Sequence, residues 1–296
     1  MRISPAVAVV LHPVLFGGSV LLMALLSTTS VGLSSAFVAT TALLFVVLTG
    51  LERVVPYRQA WLASDGQLAN DLLHGALGSV AGSRLGQLVN DAIVAAVTVH
   101  IAGPGLLGSP VQTWPFAVQL LVAVVLVDLS RYLQHRLLHR VPWLWRLHRL
   151  HHDSTRLTVW KGGRAHVVER ILQSMCMFLP VLLLGFSADI VVWSMAIHSF
   201  LGSIAHSNID IRLGVVGSVI NGPEQHRLHH SMDLDEGNSN LGSAFVIFDR
   251  LFGTFLDPHA RAPVGAIGVA EQTPKGFLSH RVAPFTSTVS EFDMNS

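Results

Sequence analysis

Residues Trp114–His139 read WPFAVQLLVAVVLVDLSRYLQHRLLH, and the fold follows from the change of character along that stretch. From Trp114 to Leu129 it is apolar apart from Gln119 and Asp128. That approaches the ~20 residues that carry a helix across a hydrocarbon core. The chain then turns polar at Arg131 and presents His135 and His139. Residues four apart share one face of a helix. Two imidazoles therefore project together where a membrane helix leaves the bilayer.

Other apolar stretches lie on both sides of this one. Ala6–Leu26 and Phe37–Leu51 precede it, and Ile171–Gly185 and Ile190–Ala205 follow. The first reads as a retained span and not as a cleaved signal, because its apolar part is long and a second span follows soon after. The last two are short, and read as a hairpin that dips into the bilayer or crosses it thinly. Leu72–Ala102 is mostly apolar around Arg84, with Gly78, Gly82 and Gly86 at a spacing that lets two membrane helices approach closely. The alternative for that stretch is an interfacial helix followed by a span from about Leu88. The expected fold is all-α and integral to the membrane, with ~4 to 6 transmembrane or re-entrant helices and a helical cap. It is expected to be one domain over 1–296, with N-terminal membrane helices (1–115), a core (116–257) and a C-terminal tail (258–296) that wraps the cap or is mobile.

Composition agrees. Of 296 residues, 51% are hydrophobic and 12% charged. A soluble domain carries roughly 25% charged residues. The formal net charge of +1 gives no large attraction to nucleic acid. A single cysteine, Cys176, excludes a disulfide framework and any cysteine-ligated cluster. The basic residues give an orientation. The connections Ser27–Ser35 and Gly103–Gln112 carry no Lys or Arg, whereas Arg53, Arg58, the stretch Arg131–Arg170 and the chain after Arg212 are basic. These sets alternate as expected for both termini and the cap in the cytoplasm, with only Arg84 fitting poorly.

Against this apolar background stand 16 histidines. Eight of them form three motifs, His135-Arg-Leu-Leu-His139, His148-Arg-Leu-His151-His152 and His226-Arg-Leu-His229-His230. The spacing expects each motif to aim its imidazoles at one point. Neutral imidazoles are good ligands for first-row transition metals, and eight of them are too many for one ion. Structural zinc sites usually include cysteine. Carboxylate-rich di-iron bundles use Glu and Glu-x-x-His, and these motifs contain no acid. The residues point to an all-histidine pair of iron ions with positions open to dioxygen. A histidine-rich storage or sensing surface is the bland alternative.

The three motifs, in this order behind membrane helices, resemble the fatty acid hydroxylase/sterol desaturase superfamily of integral membrane di-iron oxygenases. Asn238–Phe255, NSNLGSAFVIFDRLFGTF, is similar to that family's N-x-G…W-D-R-L-F-G-T-F signature, with Phe248 in place of the tryptophan. The resemblance covers about Val122–Leu256. It implies that His135, His139, His148, His151, His152, His226, His229 and His230 hold two iron ions, and that His206 joins them. His166 lies in Arg164-Ala-His166-Val-Val-Glu169, similar to a family R-x-H-P-x-E segment with Val167 for proline. It is either a further ligand or a hydrogen-bond partner of a ligand or of Glu169. Asp128 and Glu169 are candidates to orient ligating imidazoles. Asn240 either stands near the metals or makes a turn. His198 is read as a packed, hydrogen-bonded residue, Asp249 as the partner of a nearby arginine. His12, His74, His100, His259 and His280 are assigned interface or surface roles. Arg136, Arg149 and Arg227 point away from the metals onto a solvated basic face, or towards headgroups or an acidic donor.

The implied activity is O2-dependent hydroxylation of an unactivated C–H bond in a lipid: a fatty acyl chain, a sterol or hopanoid, a carotenoid, or an amino-acid-containing lipid. Desaturation on the same scaffold is the alternative, and a metal transporter or sensor is a third reading. Electrons come from an external donor of ferredoxin or cytochrome b5 type with its reductase.

Overall fold

The computed structural model describes residues 4–99, 110–261, 264–270, 273 and 275–286. His100 lies outside them. Helix α1 (Pro5–Ser27) starts at Ser4, whose hydroxyl accepts from the Val7 amide, with Pro5 in the first turn where no amide hydrogen is needed. A turn through Gly32, at φ 76°, reverses the chain into α2 (Leu33–Val54). Next come α3 (Leu68–Leu77) and α4 (Ser83–Val97), joined by a π-helical turn over Gly78–Gly82. Helix α5 (Phe116–Arg140) is the quoted stretch, and α6 (Pro142–His152) starts right after it. Val141 is extended between them, so Pro142 begins a new helix that folds back across the end of α5. Helices α7 (Val167–Leu183) and α8 (Ala188–Ala205) are joined by a four-residue turn, but both pack on α5 and scarcely on each other, so the expected hairpin is splayed open. Three short helices follow, α9 (Pro223–His229), α10 (Leu234–Gly237) and α11 (Ile247–Phe252), then α12 (Phe277–Thr286).

Among the described residues, α1, α2, α5 and α8 are long and apolar enough to cross a membrane. The protein is an all-helical membrane protein with four such helices, at the lower end of the expected range. Helix α7, with 17 residues, and α4, with 15, are shorter. Two apolar cores hold the bundle. Helices α1, α2 and α8 meet around Met23, Leu44, Leu48, Phe200 and Ile204. Helices α5, α7 and α8 meet around Ala123, Val127, Met177, Val181 and Ile190. The outward faces carry Val10, Val14, Leu21, Val38, Val46 and Leu121, all exposed. In water that surface would be costly; in lipid it is the solvent-facing side.

The glycine stripe does what its spacing requires. A Cβ on Gly86 would stand 2.7 Å from the Ser174 Cβ and 2.8 Å from the Ile171 carbonyl oxygen. Gly78 and Gly82 meet the Arg170 side chain in the same way. Helices α4 and α7 thus touch through backbone. Gly86→Val is expected to cost roughly 1–3 kcal/mol by overpacking, read as a lower unfolding midpoint in detergent.

The described residues of the tail lie on the cap. Ser231 pairs with Ile267, the Thr273 amide donates to Asp153, and α12 packs against α6 and α3.

Candidate metal centre

Nine histidines converge in two adjoining groups. His135 and His139 of α5, His148 and His152 of α6, and His229 of α9 form the first. His151 of α6, His206 at the end of α8, and His226 and His230 at the end of α9 form the second. Within each group, one ring nitrogen per residue lies within 4.8 Å of all the others. The groups contain all eight motif histidines and His206. His166 and His198 lie outside both.

The spacing expectation is corrected in one respect: each HxxHH motif serves both groups. His148 and His152 face the first while His151 faces the second; His226 and His230 face the second while His229 faces the first. A residue is rotated by 100° from its neighbour. Positions i and i+4 are then about 40° apart, but i+3 and i+4 about 100° apart. A helix lying between two centres therefore serves one with i and i+4 and the other with i+3.

The far side of most rings is held by a fixed acceptor. His135 Nδ1 donates to the Leu241 carbonyl (2.8 Å), His229 Nδ1 to Ser239 (3.0 Å), His151 Nδ1 to Arg164 (3.2 Å) and His206 Nδ1 to Gly202 (2.7 Å). His148 Nδ1 donates to the Glu169 carboxylate at 2.8 Å, and His139 Nδ1 to Asn238 Oδ1 at 3.2 Å. A carbonyl oxygen can only accept, so the proton sits on Nδ1 and the Nε2 of each neutral ring is a bare lone pair. These bare atoms face one another: His135 and His148 at 3.0 Å, His151 and His206 at 3.2 Å. His226 Nε2 lies 2.9 Å from His206 Nε2 and 3.1 Å from His230 Nε2. In the His135–His148 and His151–His206 pairs, two lone pairs at that distance repel unless a cation lies between them. Nε2 of His139, His152 and His229 is buried with no hydrogen-bond partner in the protein. Metal–imidazole bonds of about 2.0–2.1 Å put ligands at right angles about 3 Å apart. The donor set fits two transition-metal ions.

Protonation does not compete at neutral pH. Burial, and then the neighbouring histidines, push His151, His152, His226 and His230 well below the usual imidazole range. Burial takes His206 down to about 4. These five rings are therefore neutral, which is the form that binds metal.

Other candidates take distinct positions. Glu169 is buried and holds His148. Glu169→Gln is expected to weaken metal binding roughly 10- to 100-fold, checked by metal titration of the stripped protein. His166 caps α7, its Nδ1 accepting from the Val168 amide and its Nε2 meeting the Arg281 carbonyl. Asp128 accepts from the Ala244 and Phe245 amides and stands 3.6 Å from His198 Nε2. Seven residues before His135, it sits about 10 Å back along the helix, and it braces a loop instead of a ligand. Asn240 makes a turn at φ 52°, and its side chain binds the Leu256 backbone. His198 is buried and donates to the Ser194 carbonyl. Asp249 has no arginine partner among the described residues; it accepts from the Leu241 and Gly242 amides and the Thr254 hydroxyl.

Two arginines depart from the solvated-face expectation. Arg227 is buried with its guanidinium 3.8 Å from the Tyr57 ring centroid, and Arg149 is buried too. Arg136 is half-buried against Tyr132. His12, His74 and His280 are buried, and His259 is exposed. The orienting groups that sequence reading missed are Asn238 and the carbonyls of Arg164, Gly202, Ser239 and Leu241. A carbonyl has no residue-type signal, so four of these five leave no trace in the sequence.

The family described as fatty acid hydroxylase matches residues 120–254. An ornithine lipid hydroxylase of Rhizobium tropici is 34% identical over 81% of this chain and 72% of its own. An alkylglycerol monooxygenase of Danio rerio is 27% identical over 71% of this chain and 46% of its own. A methylsterol monooxygenase of Arabidopsis thaliana is 28% identical over 46% of this chain and 47% of its own. No solved structure matches. The chain belongs to the fatty acid hydroxylase/sterol desaturase superfamily, and is a membrane-embedded oxidoreductase of the monooxygenase kind.

Proposed function

We propose that the protein is a di-iron monooxygenase that hydroxylates an unactivated C–H bond of a membrane lipid. The balanced reaction takes the lipid, O2, two electrons and two protons to the alcohol and water. The observation that carries the proposal is the facing pairs of bare Nε2 atoms in two adjoining histidine groups. All nine histidines act as ligands, five at one ion and four at the other. When bound, iron supplies dioxygen activation. The chain's own residues do the rest. Carbonyls and Glu169 fix the rings, and Trp145, in contact with His139 and His152, closes the first group on one side. Burial of the rings keeps bulk water out.

A lipid substrate is supported by the position of the site at the ends of α5 and α8, two of the membrane-length helices. The relative matched over most of both chains favours an amino-acid-containing lipid. The basic residues of the cap favour a cytoplasmic site and cytoplasmic termini. Electrons enter from a separate ferredoxin or cytochrome b5 with its reductase. The chain works as one membrane domain, with residues 116–257 its catalytic core and 258–296 its tail.

The test is a comparison of lipid extracts from cells with and without the gene. A lipid heavier by one oxygen atom is expected. A product lighter by a pair of hydrogens would make the enzyme a desaturase, and an unchanged lipid profile would remove the lipid reading.

A further inference from the structure

Helix α12 has two unlike faces. Leu278, Val282 and Phe285 recur at i, i+4 and i+7, and are 76%, 51% and 69% exposed. That is a largely exposed apolar stripe, which touches the protein at Phe285, whose ring stands 5.7 Å from that of His166. The opposite face is fixed. The His74 ring stands 4.8 Å from that of Phe277, and His280 Nδ1 meets His74 Nε2 at 3.2 Å. The Arg164 guanidinium contacts His280 Nε2 at 3.4 Å and donates to Asp71 and the Leu150 carbonyl. The Arg281 carbonyl meets His166. The exposed stripe is therefore not the result of a loosely placed helix.

Its surroundings indicate what covers it. Helix α12 packs against α3, whose Leu68, Leu72 and Leu73 are also exposed. Beyond α3, the same helical run exposes Val80 in the π-helical turn and Leu85 and Leu88 along α4. The stripe thus adjoins an apolar outer surface that continues into the membrane-embedded bundle. Charge agrees. Between Glu271 and Glu291 the chain carries Lys275 and Arg281 and no acidic residue. A short helix with an exposed apolar face, a Lys just before it and no acidic residue within it has the character of a helix lying in a lipid interface.

We propose that α12 is a membrane-surface helix that seats Leu278, Val282 and Phe285 in the lipid monolayer on the metal-site side. Its polar face ties that monolayer to Arg164, whose carbonyl holds His151. The proposal rests on membrane embedding and not on the reaction, so it stands or falls separately from the lipid hydroxylase reading.

The test uses the full chain in nanodiscs containing anionic lipid. Cys176→Ala removes the single cysteine. Val282→Cys, Leu278→Cys and, on the exposed acidic turn of α10, Asp235→Cys each receive an environment-sensitive fluorophore. Labels at 282 and 278 are expected to emit to the blue, and to be quenched several-fold more by nitroxide-bearing lipid than the label at 235. Quenching of 282 and 278 by a water-soluble quencher to the same degree as 235 would overturn the proposal. Protection from both quenchers would also overturn it, since a protein surface would then cover the stripe. The two stripe positions guard against one variant failing to fold.

Discussion

Replacing His148 or His151 by alanine is expected to end turnover, and to cost the chain one metal ion while sparing the other. The two residues are three apart on α6, yet they serve different groups. A four-ligand metal site is worth ~10–16 kcal/mol, or about 3 kcal/mol per ligand. Losing one ligand then weakens that ion roughly 100-fold, and turnover falls at least as far because the chemistry needs both ions. His166→Ala is the contrast. His166 touches the Val168 amide and the Arg281 carbonyl and belongs to neither group. Its loss is expected to cost about 1 kcal/mol of stability as a lost cap, with both ions retained. Metal analysis beside turnover checks all three variants. Loss of an ion from His166→Ala, or full activity in His148→Ala or His151→Ala, would refute the ligand assignment.

The second large effect concerns a residue that touches no histidine. Asp249 is fully buried and accepts from the Leu241 amide at 2.7 Å, the Gly242 amide at 2.8 Å and the Thr254 hydroxyl at 2.7 Å. Asp249→Ala strands three donors at once. Hydrogen bonds to a charged group contribute ~1.5–3 kcal/mol each, so a loss of about 4 kcal/mol or more is expected. The damage should spread to one group of ligands. Leu241 and Ser239 hold His135 and His229 through their carbonyls, and Asn238 holds His139. All three rings belong to the first group. Asp249→Ala is therefore expected to lower the unfolding midpoint and to weaken the first ion more than the second. Unchanged stability would show that water replaces the carboxylate.

Much of this was legible in the sequence because two periodicities are strong there. Long apolar runs mark α1, α2, α5, α7 and α8. The histidine spacing singled out eight residues that the structure gathers into the two groups, and the family resemblance added His206. What was not legible depends on tertiary placement. The division of each HxxHH between two centres requires knowing that α6 and α9 lie between them. The acceptors that hold His135, His151, His206 and His229 are backbone carbonyls, which any residue type supplies. Asp128 and Glu169 looked alike as carboxylates near histidine motifs. Only Glu169 reaches a ring of the two groups, because α7 starts beside His148, whereas Asp128 lies two helical turns from His135 and stands near His198 instead. The burial of His74 and His280 was hidden because their contact joins positions far apart in the chain.

The most direct measurement is the iron content of the purified full-length protein after reconstitution with ferrous iron. Two histidine groups, each with bare Nε2 atoms facing one another, call for two ions per chain. Two irons per chain, falling to one in both His148→Ala and His151→Ala, is the expected result. A single iron shared by both groups, or no iron retained, would contradict the two-centre reading.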